Sequence, residues 1–226
     1  MNGLNSPSAC HLGICKTYAH VCRHFYWLGL HNDVKDYVLK SQKFQVNKVE
    51  RLKVGGLLQP LEIPQGKWES ISMDFIVGLP TTSRGHDSIW VVVDRLTKMA
   101  RFIPVNTTIK TPALARLFVE QLYRLYGLPT NIVSDRDTKF NSHFWRAVFH
   151  RLDTQLNMST ADHPQTDGQT ERVNQVLEGM LRAYVTKKQT NWEDYLPILE
   201  FAYNSAQHVT TGFSPFMLMY GFQPSS

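Results

Sequence analysis

The 226-residue sequence contains no apolar run near the ~18 residues that a membrane-spanning helix needs. Its opening stretch, MNGLNSPSACHLGICK, lacks the basic region and apolar segment of a secretory leader, so an intracellular, water-soluble chain is the expectation. Cysteine is scarce. Cys10, Cys15 and Cys22 are an odd number confined to one segment, which argues against a disulfide framework. His11, His20 and His24 lie among them, but no C-x-x-C pair does, so the segment does not spell a familiar zinc site. There is no internal repeat, no low-complexity tract and no Gly-rich phosphate loop. Charge of one sign is also in short supply: 24 Lys and Arg face 19 Asp and Glu, leaving +5. Most of that excess sits in residues 1–70, with nine basic against five acidic residues, while 71–226 carry fifteen against fourteen. A basic balance suits an acidic partner such as nucleic acid, yet an excess this small also fits a mildly basic soluble enzyme.

What is present is a globular chain, 42% hydrophobic, with material for one or two domains around a buried core. Leu12, Tyr18, Val21, Cys22, Phe25 and Tyr26 recur at helical spacing, and a short helix should cover Asn32 to Leu39. Residues 45–68, with Gly55-Gly56, Pro60 and Pro64, read as a linker. Strands follow at 71–77, 88–94 and 100–105, joined by short turns that suit an antiparallel meander. Thr111-Pro112 opens a helix, with Thr as its cap, that Gly127 should stop. A strand over 131–135, a helix over 141–152 and a strand over 155–158 come next. A polar loop then leads to a long helix from about Asp167 to Lys187, with Thr166 and Gln169 at capping-box spacing. A last helix covers Asn191 to about Ala206. Three consecutive strands followed by alternation imply a mixed sheet with helices packed on it.

Among the carboxylates, Asp74 stands in an apolar strand, where an ionised group is costly unless paired or bound to a cation. It could equally be a structural Asp accepting backbone or Arg hydrogen bonds. Asp135 ends a strand and precedes a polar turn, the kind of place where sites of open α/β sheets gather. It could also be a turn-forming Asp, and Asp137 and Asp94 are rivals. Glu171 lies opposite the apolar stripe of Val173, Val176, Leu177, Met180 and Tyr184, beside Asn174, Gln175, Glu178 and Arg182. Periodicity alone makes it a solvated glutamate.

The run ADHPQTDGQTERVNQVL over residues 161–177 resembles the corresponding stretch of integrases from Ty3/gypsy-type LTR retrotransposons, within the wider retroviral-integrase-like group. IVSDRDTKFNSHFWRAVF, WESISMDFIVGLP, WVVVDRLTKMARFIPV and TGFSPFMLMYG resemble the same family, in the same order, so that the likeness covers residues 11–221. The resemblance implies a catalytic triad of Asp74, Asp135 and Glu171, the last two separated by 35 intervening residues. It implies a ribonuclease-H-like α/β core, a five-stranded mixed sheet flanked by helices, preceded by a small helical module. The boundaries follow as 1–50 for that module, 51–67 for a linker and 68–226 for the core. It also implies that the three carboxylates hold two Mg²⁺ or Mn²⁺ ions for 3′-end processing and strand transfer of DNA. Hard oxygen ligands suit those ions. His163, Gln165, Thr166, Gln169, Asn174 and Arg182 are the implied DNA contacts; solvated polar residues are the plainer reading of the same positions. The partners implied are element and target DNA and further copies of the chain on that DNA, with no membrane, in the nucleus and in a cytoplasmic particle.

Two departures qualify this picture. The family's module binds zinc through two His and two Cys, whose positions here are Leu4, His11, Ser41 and Phe44. One ligand does not hold tetrahedral zinc, so a degenerate, loosely folded module without zinc is the expectation. The sequence stops at Ser226, before the small β-rich domain that usually follows, as a polyprotein fragment, a degraded copy or a host-derived protein would. A catalytically silent binding or assembly protein that keeps the fold is therefore an alternative to an active transferase. A ribonuclease H is a third reading, disfavoured by the HPQTDGQTER loop and the 35-residue spacing.

Overall fold

A computed structural model describes residues 14–22, 25–40, 63–134, 142–152, 168–184 and 190–225. The chain divides into two compact units, Glu62–Arg172 and one made of both chain ends, Met1–Leu61 with Val173–Ser226.

In the unit made of the chain ends, α1 (Ile14–Val21) and α2 (Leu30–Lys40) form a hairpin. Leu30, Val34 and Val38 recur every fourth residue, so they share one face of α2. With Val21 they make a small buried cluster, against which Ile14, Tyr18 and Tyr37 pack.

The unit Glu62–Arg172 holds the sheet. Its strands are β1 (Ser70–Ile76), β2 (Ser88–Asp94), β3 (Ala100–Val105) and β4 (Asn131–Ser134). Their order is β3-β2-β1-β4. β1, β2 and β3 form the antiparallel meander expected from the short turns, and β4 joins β1 in parallel. Every residue of β2 is buried, as a central strand covered on both faces must be. β1 stops one residue short of expectation: Val77 is exposed and Gly78 takes the left-handed conformation. The described sheet has four strands rather than five, and the strand expected over 155–158 lies outside the described residues.

Between β3 and β4 runs α3. It comprises Thr111–Phe118, a π-helical turn over Val119–Tyr123, and a last turn, Arg124–Tyr126. Its N-cap is Lys110 rather than Thr111, and no side chain bonds to the free amides there. Pro112, whose missing N–H costs nothing in the first turn, accounts for the start. Gly127, at φ 80 and ψ −165, ends it in a conformation that glycine alone adopts readily. α4 (Ser142–Arg151) packs on α3. A file of aromatic rings runs from sheet to helices. Phe75 stacks toward Trp90, Trp90 meets Phe118, and Phe118 meets Phe144 and Trp145 edge-on at 5.9 and 5.4 Å.

α5 (Gly168–Tyr184) is amphipathic as its periodicity predicts: Val173, Leu177, Met180 and Leu181 are buried. α6 (Trp192–Ser205) buries Trp192, Leu196, Leu199, Ala202 and Tyr203. α7 (Pro215–Tyr220) is a helix the sequence reading did not anticipate. Ser214 Oγ accepts the N–H of Met217 at 3.2 Å, and Gly221 closes the helix at φ 80. Phe216 packs between Phe201 and Tyr220. No described helix is long and apolar enough to cross a membrane.

Candidate functional site

Asp74 is half-buried in a strand whose other residues are buried. It faces Val91 across the β1–β2 pair, and its Oδ1 accepts the N–H of Phe75 at 2.8 Å. The parallel pairing of β1 with β4 runs Ser70↔Asn131, Ile71↔Ile132, Ser72↔Val133 and Met73↔Ser134. The last pair is therefore made by the residues that immediately precede Asp74 and Asp135 in the sequence. Asp135 and Asp137 themselves lie outside the described residues.

Asp94, the rival on β2, is fully buried, and its acceptors are in use. Oδ1 takes the backbone N–H of Trp68 at 3.0 Å and that of Leu96 at 3.4 Å. Oδ2 takes the N–H of Thr97 at 3.1 Å and its hydroxyl at 2.6 Å. An ionised carboxylate offers about four lone-pair positions, so this one is committed to the β2–β3 turn and to the chain entering β1. It is a structural acid.

Sequence reasoning missed the surroundings of that carboxylate. Trp68 is buried at φ 59, in the left-handed region. Its ring stacks on Tyr126 at 3.7 Å and 3°, where α3 ends. The carbonyl of Glu69 accepts the N–H groups of Thr130 and Asn131 at 2.8 and 3.0 Å, and the Thr130 hydroxyl at 3.1 Å. Arg95, buried beside Asp94, donates from Nη1 to Ser70 Oγ at 2.9 Å and from its backbone N–H to the Ser70 carbonyl. A sequence signal existed for the turn alone: Asp-x-x-Thr over residues 94–97 is the spacing at which an Asp accepts from a Thr three residues on.

Glu171 occupies the first turn of α5 and is exposed, opposite the buried stripe, as the helical angles predict. Negative charge there is favoured by the free amides of the helix start. On the same helix Asn174 is half-buried, and exposed Arg182 pairs with Glu178 at 3.5 Å. Gln169 lies in the first turn. His163, Gln165 and Thr166 lie outside the described residues. Among the described residues no three His, Cys, Asp or Glu side chains gather into a metal-holding group, and Asp135 is not one of those residues.

The family model for the integrase zinc binding domain matches residues 5–50. That match does not fit the expectation of a module without zinc. The match covers Ser41 and Phe44, two of the positions where the resemblance places ligands, and starts one residue after Leu4, the third. Those positions and His11 lie outside the described residues. The Tf2-3 and Tf2-4 transposon polyproteins of Schizosaccharomyces pombe are each 36% identical to this chain over 205 residues. The alignment takes in 91% of the chain, which spans only 15% of the length of those relatives. Two solved structures share the fold. One is a simian T-cell lymphotropic virus intasome in complex with the PP2A regulatory subunit B56 gamma, with a TM-score of 0.62 and 12% identity over 98% of this chain and 75% of that one. The other is the HTLV-2 integrase catalytic core domain in complex with magnesium, with a TM-score of 0.51 and 14% identity over 67% of this chain and 96% of that one.

Proposed function

Because the chain belongs to the integrases of LTR retrotransposons, we propose that it is a DNA polynucleotidyl transferase that processes 3′ ends and joins them to target DNA. Asp74, Asp135 and Glu171 are its catalytic carboxylates. The observation that carries this reading is the parallel β1–β4 register, whose last pair directly precedes the two aspartates. Commitment of Asp94 to structural hydrogen bonds supports it by removing the nearest competitor.

The donor set fits a hard divalent cation: three carboxylates, of which Asp74 is half-buried on a rigid strand and Glu171 is exposed in the first turn of a helix. Two Mg²⁺ or Mn²⁺ ions held by these residues would supply activation of a water or 3′-hydroxyl and stabilisation of the leaving oxygen. The chain's own contribution is placement. A strand allows Asp74 little rotational freedom, and the free amides at the start of α5 favour a DNA phosphate there. Gln169, Asn174 and Arg182 on α5, with His163, Gln165 and Thr166 before it, are the proposed DNA contacts. The division into a module at 1–50, a linker at 51–67 and a core at 68–226 belongs to the same reading. So do assembly of several copies on DNA and a place in a cytoplasmic particle and the nucleus.

The test is a nicking and strand-transfer assay with Mn²⁺ on the wild type and on Asp74→Asn, Asp135→Asn and Glu171→Gln. Each variant should fall to background. Full activity in any of them overturns its metal assignment. A wild-type chain that binds DNA but neither nicks nor joins it would favour the silent assembly protein. Preference for an RNA–DNA hybrid over duplex DNA would favour a ribonuclease H.

A further inference from the structure

β4 has four residues and pairs only with β1 among the described strands. Four pairs are a weak source of register. A slip of one residue would turn each β4 side chain to the opposite face, and would do the same to whatever follows Ser134. Further contacts gather at the start of the two strands. Trp68 occupies a left-handed conformation that a bulky residue rarely adopts. Its N–H is held by Asp94 at the end of β2, and its ring lies flat on Tyr126 at the end of α3. The Glu69 carbonyl then takes three hydrogen bonds from Thr130 and Asn131. β2, the entry to β1, the end of α3 and the entry to β4 are thus tied at one point.

We propose that Asp94, Trp68 and Tyr126 form a register clamp that fixes β4 against β1 and thereby sets the relation between Asp74 and Asp135. They are positioning residues and touch no reacting atom. The proposal rests on the reading of those two aspartates as metal-holding groups.

The test uses the full chain, Mn²⁺ titration by calorimetry, and amide hydrogen exchange by NMR, on Asp94→Ala, Tyr126→Ala and Tyr126→Phe. Mn²⁺ affinity should fall about 10- to 100-fold in both alanine variants, the range for residues that orient metal ligands from behind. Asn131 and Val133, whose N–H groups face β1, should lose exchange protection, while Trp90 and Val91 in the meander keep it. Tyr126→Phe, which keeps a ring to stack on Trp68, should stay closer to the wild type than Tyr126→Ala in both readouts. If Asp94→Ala does not fold, Tyr126→Ala decides. Wild-type affinity and β4 protection in folded Tyr126→Ala overturn the clamp, as does protection lost equally across the sheet. Should the wild type bind no Mn²⁺, the carboxylate reading fails and exchange alone decides: selective loss at β4 supports the clamp, and unchanged protection overturns it.

Discussion

Asp74 and Asp94 sit on neighbouring strands, and both look alike in the sequence, each beside a run of apolar residues. Their environments separate them. Asp94 is enclosed by four donors, whereas Asp74 stays half-buried with one of its oxygens on the adjacent backbone amide. Burial of Asp94 follows from a turn and from a distant amide, and the latter is a contact between residues 26 positions apart that no local pattern announces. Glu171 was legible in a different way: helical angles placed it on the solvent side, and only the family resemblance gave that position a role. Tyr203 offers a test of burial itself. Burial pushes its hydroxyl well above the ordinary value of 10.0. The phenolate then forms more readily in the unfolded chain than in the folded one. The contribution of Tyr203 to stability should be constant below pH 10 and fall away as the pH rises beyond it. Denaturant melts at several alkaline pH values should show that fall in the wild type and a shallower one in Tyr203→Phe.

Elements with strong periodicity or clear punctuation were legible. β1, β2 and β3 fall within a residue of expectation, and α5 buries Val173, Leu177 and Met180 of the stripe its spacing defines, leaving Val176 half-buried. The π-helical turn in α3 was not, because the buried Leu114, Phe118 and Leu122 recur every fourth residue, a spacing an uninterrupted α-helix also allows. α7 was missed although its punctuation is plain in retrospect: Ser214 caps it, Pro215 fills the first helical position and Gly221 closes it. Six residues are too few for a period to show. Such a short helix depends on its ends, so Ser214→Ala should cost about 1 kcal/mol, measured by urea denaturation. The same substitution also removes the hydrogen bond from Ser214 to Gln223, and Gln223 donates in turn to the Ser205 carbonyl at 3.3 Å. A loss well under half that figure would show that α7 is held by Phe216 and its ring neighbours instead.

At the scale of the whole molecule, a net charge of +5 on 226 residues is a modest attraction for DNA, and the proposed carboxylate site is acidic. Binding should therefore be salt-sensitive with a shallow slope, since each neutralised phosphate adds to that slope. Light scattering with and without a duplex end should show the chain gaining copies only when DNA is present; identical masses in both would remove DNA from the assembly. The order in which the fold comes together carries a further consequence. The meander joins segments close in sequence, with Ile71 opposite Asp94 and Ser88 opposite Val105. The contact that admits β4, from Thr130 to Glu69, spans 61 residues. Chain entropy delays such a closure until the local part exists to receive it. Among the described strand pairings, the one beside Asp74 should thus be the last to form during folding and the first to open under stress. A chain caught part-way would hold its hydrophobic meander without the paired strand ends that precede Asp74 and Asp135, and so would lack the proposed carboxylate site.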